Sequence, residues 1–193
     1  MGAVRPIFLL EEKNMKITPR RIAFAGILAA IYAALTLATS SFAYGPVQFR
    51  LAEAFAVLCC FTPAAIPGMV LGCMAANLAS FVSAWDFAIG SVATLLACVV
   101  IWLMSRPLRL AQTEKLTRRA LGLVLLVPLP TILFNAVIVG AEIAWFFDDR
   151  AFWTAYAANA FSVGIGEAAV MYVLGVPLLI WLLRNKRLEL RAV

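Results

Sequence analysis

Four carboxylates interrupt the apolar stretches of this 193-residue chain: Glu53, Asp86, Glu142 and Glu167. Near them in the sequence stand the amides Gln48, Asn77, Asn135 and Asn159 and the aromatic residues Tyr44, Trp85 and Trp145. An ionisable group at membrane depth is costly, and it lines a cavity or meets a partner. Carboxylates and amide carbonyls accept hydrogen bonds from ring N–H and amine donors. Indole rings stack on flat rings and on cations. This set of side chains suits capture of a small planar, polar or cationic molecule.

Catalysis is poorly served. The chain has no histidine, which excludes a zinc–histidine site and a histidine proton relay. Ser162 precedes Val-Gly-Ile-Gly, but without histidine it has no base to make it a nucleophile. There is no GxxxxGK[ST] phosphate loop. No metal or cofactor is called for, and an enzyme is the weakest class.

Each candidate also has a purely structural use. Arg50 and Glu53 are three apart and can pair with each other. Asp86 can be a helix N-cap. Asn135 and Asn159 can join helices, and Trp145 and Trp153 can be interfacial anchors. Glu142 has no basic neighbour in sequence, and Glu167 lies in GIGEAA. Asn135 and Glu142 are seven apart, two helical turns on one face.

The elements that hold these residues must be membrane helices. The chain is 64% hydrophobic and 13% charged, where a soluble domain has about 45–50% and about 25%. Its mean hydropathy is +0.96. The apolar runs exceed the roughly ten-residue alternating segments of a barrel. All four cysteines lie within those runs and read as small core residues. The net charge of +6 needs no nucleic acid to explain it.

That charge sets the topology instead. Lysine and arginine number five in residues 5–21, five in 106–119 and four in 184–191, which is 14 of 16. The positive-inside rule puts all three clusters in the cytoplasm. Runs 22–40 and 87–105 each cross once, so the stretch 51–82 must cross twice, turning at Phe61-Thr62-Pro63. A single crossing there would put 106–119 outside. The expected fold is an all-α membrane protein with six transmembrane helices and both termini cytoplasmic. Its second span, about 14 residues, reaches about 21 Å, short of the roughly 30 Å hydrocarbon core. Residues 1–15 read as an N-terminal extension, 16–184 as the bundle and 185–193 as a basic tail. Thr18 is a helix N-cap with Pro19 behind it. Small residues form two rows on the first span, Ala25/Ala29/Ala33 and Gly26/Ala30/Ala34. Such rows let another helix approach closely, in this chain or in a partner.

Several stretches together resemble the QueT family: YGPVQFRLAEAFAVL, FTPAAIPGMVLGCMAANL, DFAIGSVATLL and GIGEAAVMYVLGVPLL. That family comprises substrate-binding S components of energy-coupling factor (ECF) transporters, assigned to queuosine precursors. The resemblance covers about residues 16–184 and implies a six-helix S-component bundle. It implies capture of a 7-deazaguanine, preQ1 or preQ0, on the outer side of a prokaryotic plasma membrane. It further implies a transmembrane coupling protein, docked on the small-residue rows, and two ATPases that supply energy. The acid-rich outer half favours preQ1, whose aminomethyl group is cationic near neutral pH. The alternatives are an S component for another vitamin or nucleobase and a small ion-coupled carrier or channel.

Overall fold

The computed structural model describes residues 18–43, 47–79, 84–105, 118–146 and 148–185, and they are mostly helical, with no strand among them. The N-terminal extension and most of the basic tail lie outside the described residues. Four helices are long and apolar enough to cross a membrane: Pro19–Ala38, Trp85–Met104, Gly122–Phe146 and Phe152–Arg184. Two shorter apolar helices, Leu51–Cys60 and Ala65–Leu78, complete the bundle.

Helix α1 (Pro19–Ala38) opens as its sequence dictates, with Pro19 in the first turn and the Thr18 hydroxyl accepting from the Arg21 amide. It lies along α2 (Ala65–Ala79). The contact is made by small residues on both sides. A Cβ added at Gly72 would stand 2.6 Å from the Cβ of Tyr32 and 2.9 Å from the carbonyl oxygen of Ala29. Gly68 meets the Ala25 carbonyl in the same way. The spacing Gly68-x-x-x-Gly72 is the small-residue pattern that lets membrane helices close on one another. The two rows on α1 are therefore not equivalent. Ala25 is buried and Ala29 and Ala33 half-buried, with Ala25 and Ala29 against α2, whereas Gly26, Ala30 and Ala34 are exposed.

The stretch 51–79 is two helices that part at residues 61–64. The first is a 3-10 helix, Leu51–Cys60, where the sequence suggested an α-helix. Its rise of about 2.0 Å per residue carries ten residues about 20 Å, against about 15 Å for an α-helix. Just before its start, Arg50 lies beside Asp86, two residues into α3 (Ala84–Met104). At its far end the Ser105 hydroxyl donates to the Cys60 sulfur, 3.1 Å away. Helix α2 then returns until the Asn77 amide donates to the Asp86 carbonyl at 2.9 Å. The 3-10 helix thus runs the length of α3 and α2 runs back.

This helix is the middle of the bundle. Ala52, Glu53, Ala54, Ala56, Val57, Cys59 and Cys60 are all buried, and it packs against every other long helix. An element buried on most sides is apolar on most sides. Large exposed apolar side chains come instead from the helices around it, such as Ile27, Leu71, Leu103, Leu133 and Phe161. All four cysteines are buried thiols outside any disulfide.

Two bent helices complete the fold. Helix α4 (118–146) runs through Arg118–Leu126, Pro128–Phe134, a π turn at Asn135–Val139, and Gly140–Phe146. Helix α5 (152–184) runs through Phe152–Val170, a π turn at Met171–Gly175, and Val176–Arg184. Pro177 lacks the N–H that the Val173 carbonyl would take, and its ring crowds that carbonyl. The wider turn just before it relieves both. The two helices lie antiparallel, with Ala136 against Gly164 and the Tyr172 hydroxyl donating to the Leu125 carbonyl at 3.1 Å.

The glycine contacts give a paired test. Gly72→Ala forces a backbone shift between α1 and α2 and should cost about 1–3 kcal/mol, the usual range for overpacking. Gly26→Ala meets open space and should leave stability within about 0.5 kcal/mol. Thermal unfolding of the two variants in detergent measures the difference, with the midpoint lowered only for Gly72→Ala.

Candidate binding site

The polar interior begins at Gly166. A Cβ there would stand 2.1 Å from the Gln48 carbonyl oxygen, so only glycine admits the strap 47–50 against α5. That strap delivers Arg50 into the bundle. Its guanidinium meets the Asp86 carboxylate at 3.4 Å, with the two residues 1% and 5% exposed. The distance exceeds the 2.7–2.9 Å typical of a charged pair. Gly90, one turn along α3 from Asp86, packs against Asn77, Asp86 and Arg50 together. The strap, the end of α2 and the start of α3 are joined at this point.

Arg50 and Glu53, three apart in sequence, make different bonds. Arg50 takes Asp86, and Glu53 accepts from the Tyr32 hydroxyl at 2.6 Å and the Thr94 hydroxyl at 3.2 Å through one oxygen. The other Glu53 oxygen is buried with no donor among the described residues. The physical reason is that Arg50 stands outside the 3-10 coil as its N-cap, with φ −83° and ψ 84°, so the helical spacing that pairs positions three apart does not govern it.

Around Arg50 the acids converge. Glu167, fully buried, is within electrostatic reach of Glu53 and Arg50, and Glu142, 4% exposed, is within reach of Asp86 and Arg50. Among the described residues, the buried charged side chains are these four acids and one arginine. Among the described residues, both carboxylate oxygens of Glu142 and of Glu167 lack a hydrogen-bond donor, as do the second oxygen of Glu53 and the side-chain oxygen of Gln48. Asn135, 1% exposed, has neither amide atom bonded and opens the π turn of α4. Turns of this kind recur at functional sites. Buried polar atoms are normally paired. The cluster therefore offers seven buried acceptor oxygens, against which stand as donors only the Asn135 amide N–H group and the Arg50 guanidinium. Chemically it is built to receive N–H donors and positive charge.

The remaining candidates stand elsewhere. Asn159 donates to Asp148 and to the Ala155 carbonyl, both at 2.9 Å, and so fastens the turn between α4 and α5. Trp145 is 70% exposed and packs edge-on against Phe152. Trp85, 58% exposed, stacks on Phe146. Tyr44 lies outside the described residues. Three contributors were not singled out from sequence: Tyr32, Thr94 and Phe146. Tyr32 had a usable signal, since it is a hydroxyl on the face of α1 that carries Ala25 and Ala29.

In the turn itself Arg150 donates to Asp148 through its guanidinium and its backbone amide. These bonds, with that from Asn159, hold the Asp148 carboxyl well below the usual carboxylate range. A depressed value means that the staple stabilises the turn above the ordinary carboxylate pKa. Its contribution is lost only as the pH falls through the lowered value.

The sequence model of the QueT transporter family matches residues 22–184. The chain belongs to this family. The matched region contains every residue of the buried cluster. Over 72 residues the chain is also 38% identical to a protein named queuosine precursor transporter QueT, from Lactococcus lactis subsp. cremoris (strain MG1363). That similarity covers 36% of this chain and 41% of the relative. No solved structure matches. The family match and the four long apolar helices agree on a multi-pass membrane protein.

The lopsided charge of the cluster predicts unequal effects of its two paired residues. Arg50→Met leaves four buried acids without their cation, and should cost the roughly 3–5 kcal/mol typical of breaking a buried pair. Asp86→Asn leaves Arg50 within reach of three other carboxyls and should cost less. Equal losses of thermal stability in the two variants would contradict the arrangement.

Proposed function

We propose that this chain is the substrate-binding S component of an ECF transporter, and that its buried acid cluster captures a 7-deazaguanine queuosine precursor from outside the cell. A transmembrane coupling protein and two ATPases drive its uptake. The observation that carries this reading is the excess of acceptors: four carboxyls about one arginine, with five carboxylate oxygens lacking donors, in a member of the QueT family. A guanine-like base presents ring N–H and amino donors on one edge, which carboxylates accept. The relative from Lactococcus lactis bears the name of a queuosine precursor transporter.

The chain crosses the membrane six times with both termini in the cytoplasm. Support comes from the out-and-back path of residues 51–79 and from the charge distribution. Asp86 stands at the end of α3 remote from the basic 106–119 connection, and Glu142 at the remote end of α4. A 20 Å helix inside the bundle needs no lipid of matching thickness, because protein surrounds it. The coupling protein docks on the exposed row Gly26, Ala30 and Ala34, since Ala25 and Ala29 already face α2. Asn77 and Glu53 hold the cluster together from beneath, and Gln48, Asn135, Glu142 and Glu167 provide its open acceptors.

Calorimetric titration of the purified protein tests the ligand. PreQ1 should bind more tightly than preQ0, because its ammonium meets the surplus carboxylates, and equal affinities would remove the charge argument. Glu142→Gln and Glu167→Gln should each weaken preQ1 binding about tenfold or more, from loss of a charged hydrogen bond worth about 1.5–3 kcal/mol. Unchanged affinity in both would displace the site. Uptake should cease when the partner ATPases are deleted. Uptake that persists without them and follows an ion gradient would mark an ion-coupled carrier instead.

A further inference from the structure

Trp85 and Phe146 stack with ring centroids 5.5 Å apart and planes 12° from parallel. The two rings come from distant parts of the chain, the start of α3 and the last residue of α4. Each is tied through its backbone to an acid of the cluster. Asp86 follows Trp85 directly, and Glu142 lies one helical turn before Phe146. Both rings are partly exposed, at 58% and 43%, while Glu142, one turn before Phe146 on the same helix, is buried with both oxygens lacking donors among the described residues.

Other ring contacts have a different form. Phe152, Trp153 and Tyr156 pack with Trp145 around the single turn that joins α4 to α5. Trp145 and Trp153 are 70% and 76% exposed, which suits interfacial anchors. The Trp85–Phe146 pair bridges two separate helices, one of which carries Glu142 a turn before Phe146.

We propose that Trp85 and Phe146 form a two-sided aromatic clamp that takes the flat ring of the ligand between them, its N–H edge turned toward Asp86 and Glu142. The inference rests on the ligand class proposed above and adds Phe146 and the manner of entry. Base–aromatic stacking is sequence-tolerant and holds any flat heteroaromatic face, so the acids and not the clamp choose among ligands by their donors. The clamp as found is closed. A ring held at van der Waals distance, about 3.5 Å, from both faces needs them about 7 Å apart. The two rings must therefore part by about 1.5 Å or more to admit it.

The experiment is titration of preQ1 into the purified full-length protein and its variants, followed by calorimetry and by tryptophan fluorescence. Binding to the wild type should quench fluorescence in step with the heat. Trp85→Phe keeps a ring and should bind within about threefold of wild type while losing most of the quench, although Trp102, Trp145, Trp153 and Trp181 remain. Trp85→Ala and Phe146→Ala should each weaken binding about tenfold or more, the range of one base–aromatic stack. Wild-type affinity in either alanine variant, or a quench that survives in Trp85→Phe, overturns the clamp and leaves the ligand class standing. A wild type that gives no heat with preQ1, preQ0 or guanine overturns the ligand class and the clamp together.

Discussion

One buried guanidinium organises this bundle. Arg50 is the cation that Asp86 contacts and that Glu53, Glu142 and Glu167 feel across the interior, and these acids come from four different elements. A single charge at the centre of four helices acts as a pin, since each acid that strays from it would face an apolar interior alone. The pin itself is held by sterics. Gly166 lets the strap at Gln48 approach closely enough to carry Arg50 inward, and the 3-10 helix that follows leads away through the middle of the core. The same device that builds the fold leaves it unbalanced. One cation cannot neutralise four carboxyls, and the remainder is what a cationic, donor-rich ligand can complete.

Partial satisfaction separates the two kinds of polar group in the interior. Tyr32, Thr94 and Asn77 give their hydrogen bonds to Glu53 and to the Asp86 backbone, and so do structural work. Glu142, Glu167 and Asn135 have no hydrogen-bond partner among the described residues. All three lie on the bent pair α4 and α5, whereas the satisfied groups lie on α1, α2, α3 and the 3-10 helix. The open acceptors are thus concentrated on α4 and α5, with Gln48 in the strap and one Glu53 oxygen on the 3-10 helix adding to them. That distribution resembles the usual plan of a binding site, with rigid support behind a face left open to the ligand.

What could be read from the residues follows the range of the interaction involved. The start of α1 depended on Thr18 and Pro19 and was legible in full, because capping is local. So was the break at residues 61–63, where Pro63 interrupts an apolar run. The acids were legible because a charge in an apolar stretch is conspicuous wherever it folds. Partners were not. Arg50 looked closest to Glu53, but its carboxylate comes from Asp86, 36 positions away, and no local rule reaches so far. The 3-10 form of Leu51–Cys60 was equally hidden, because its sequence of alanines and small apolar residues permits either coil and the surrounding packing decides.

Helix phase explains the aromatic residues. Trp145 and Phe146 are neighbours, so one is turned about 100° from the other around α4. Sequence singles out Trp145, whose indole can stack on a flat ring, yet Phe146 is the one that meets Trp85. Composition cannot decide between adjacent positions; only the rotation of the helix can. That rotation is altered upstream by the π turn at Asn135–Val139, which shifts every later residue relative to a regular α-helix. The spacing of seven between Asn135 and Glu142 therefore does not by itself align them, although both are buried. The turn that opens with the unpartnered Asn135 is the one that sets the facing of Glu142 and Phe146 beyond it. One local irregularity thus couples the depth of the cluster to its rim.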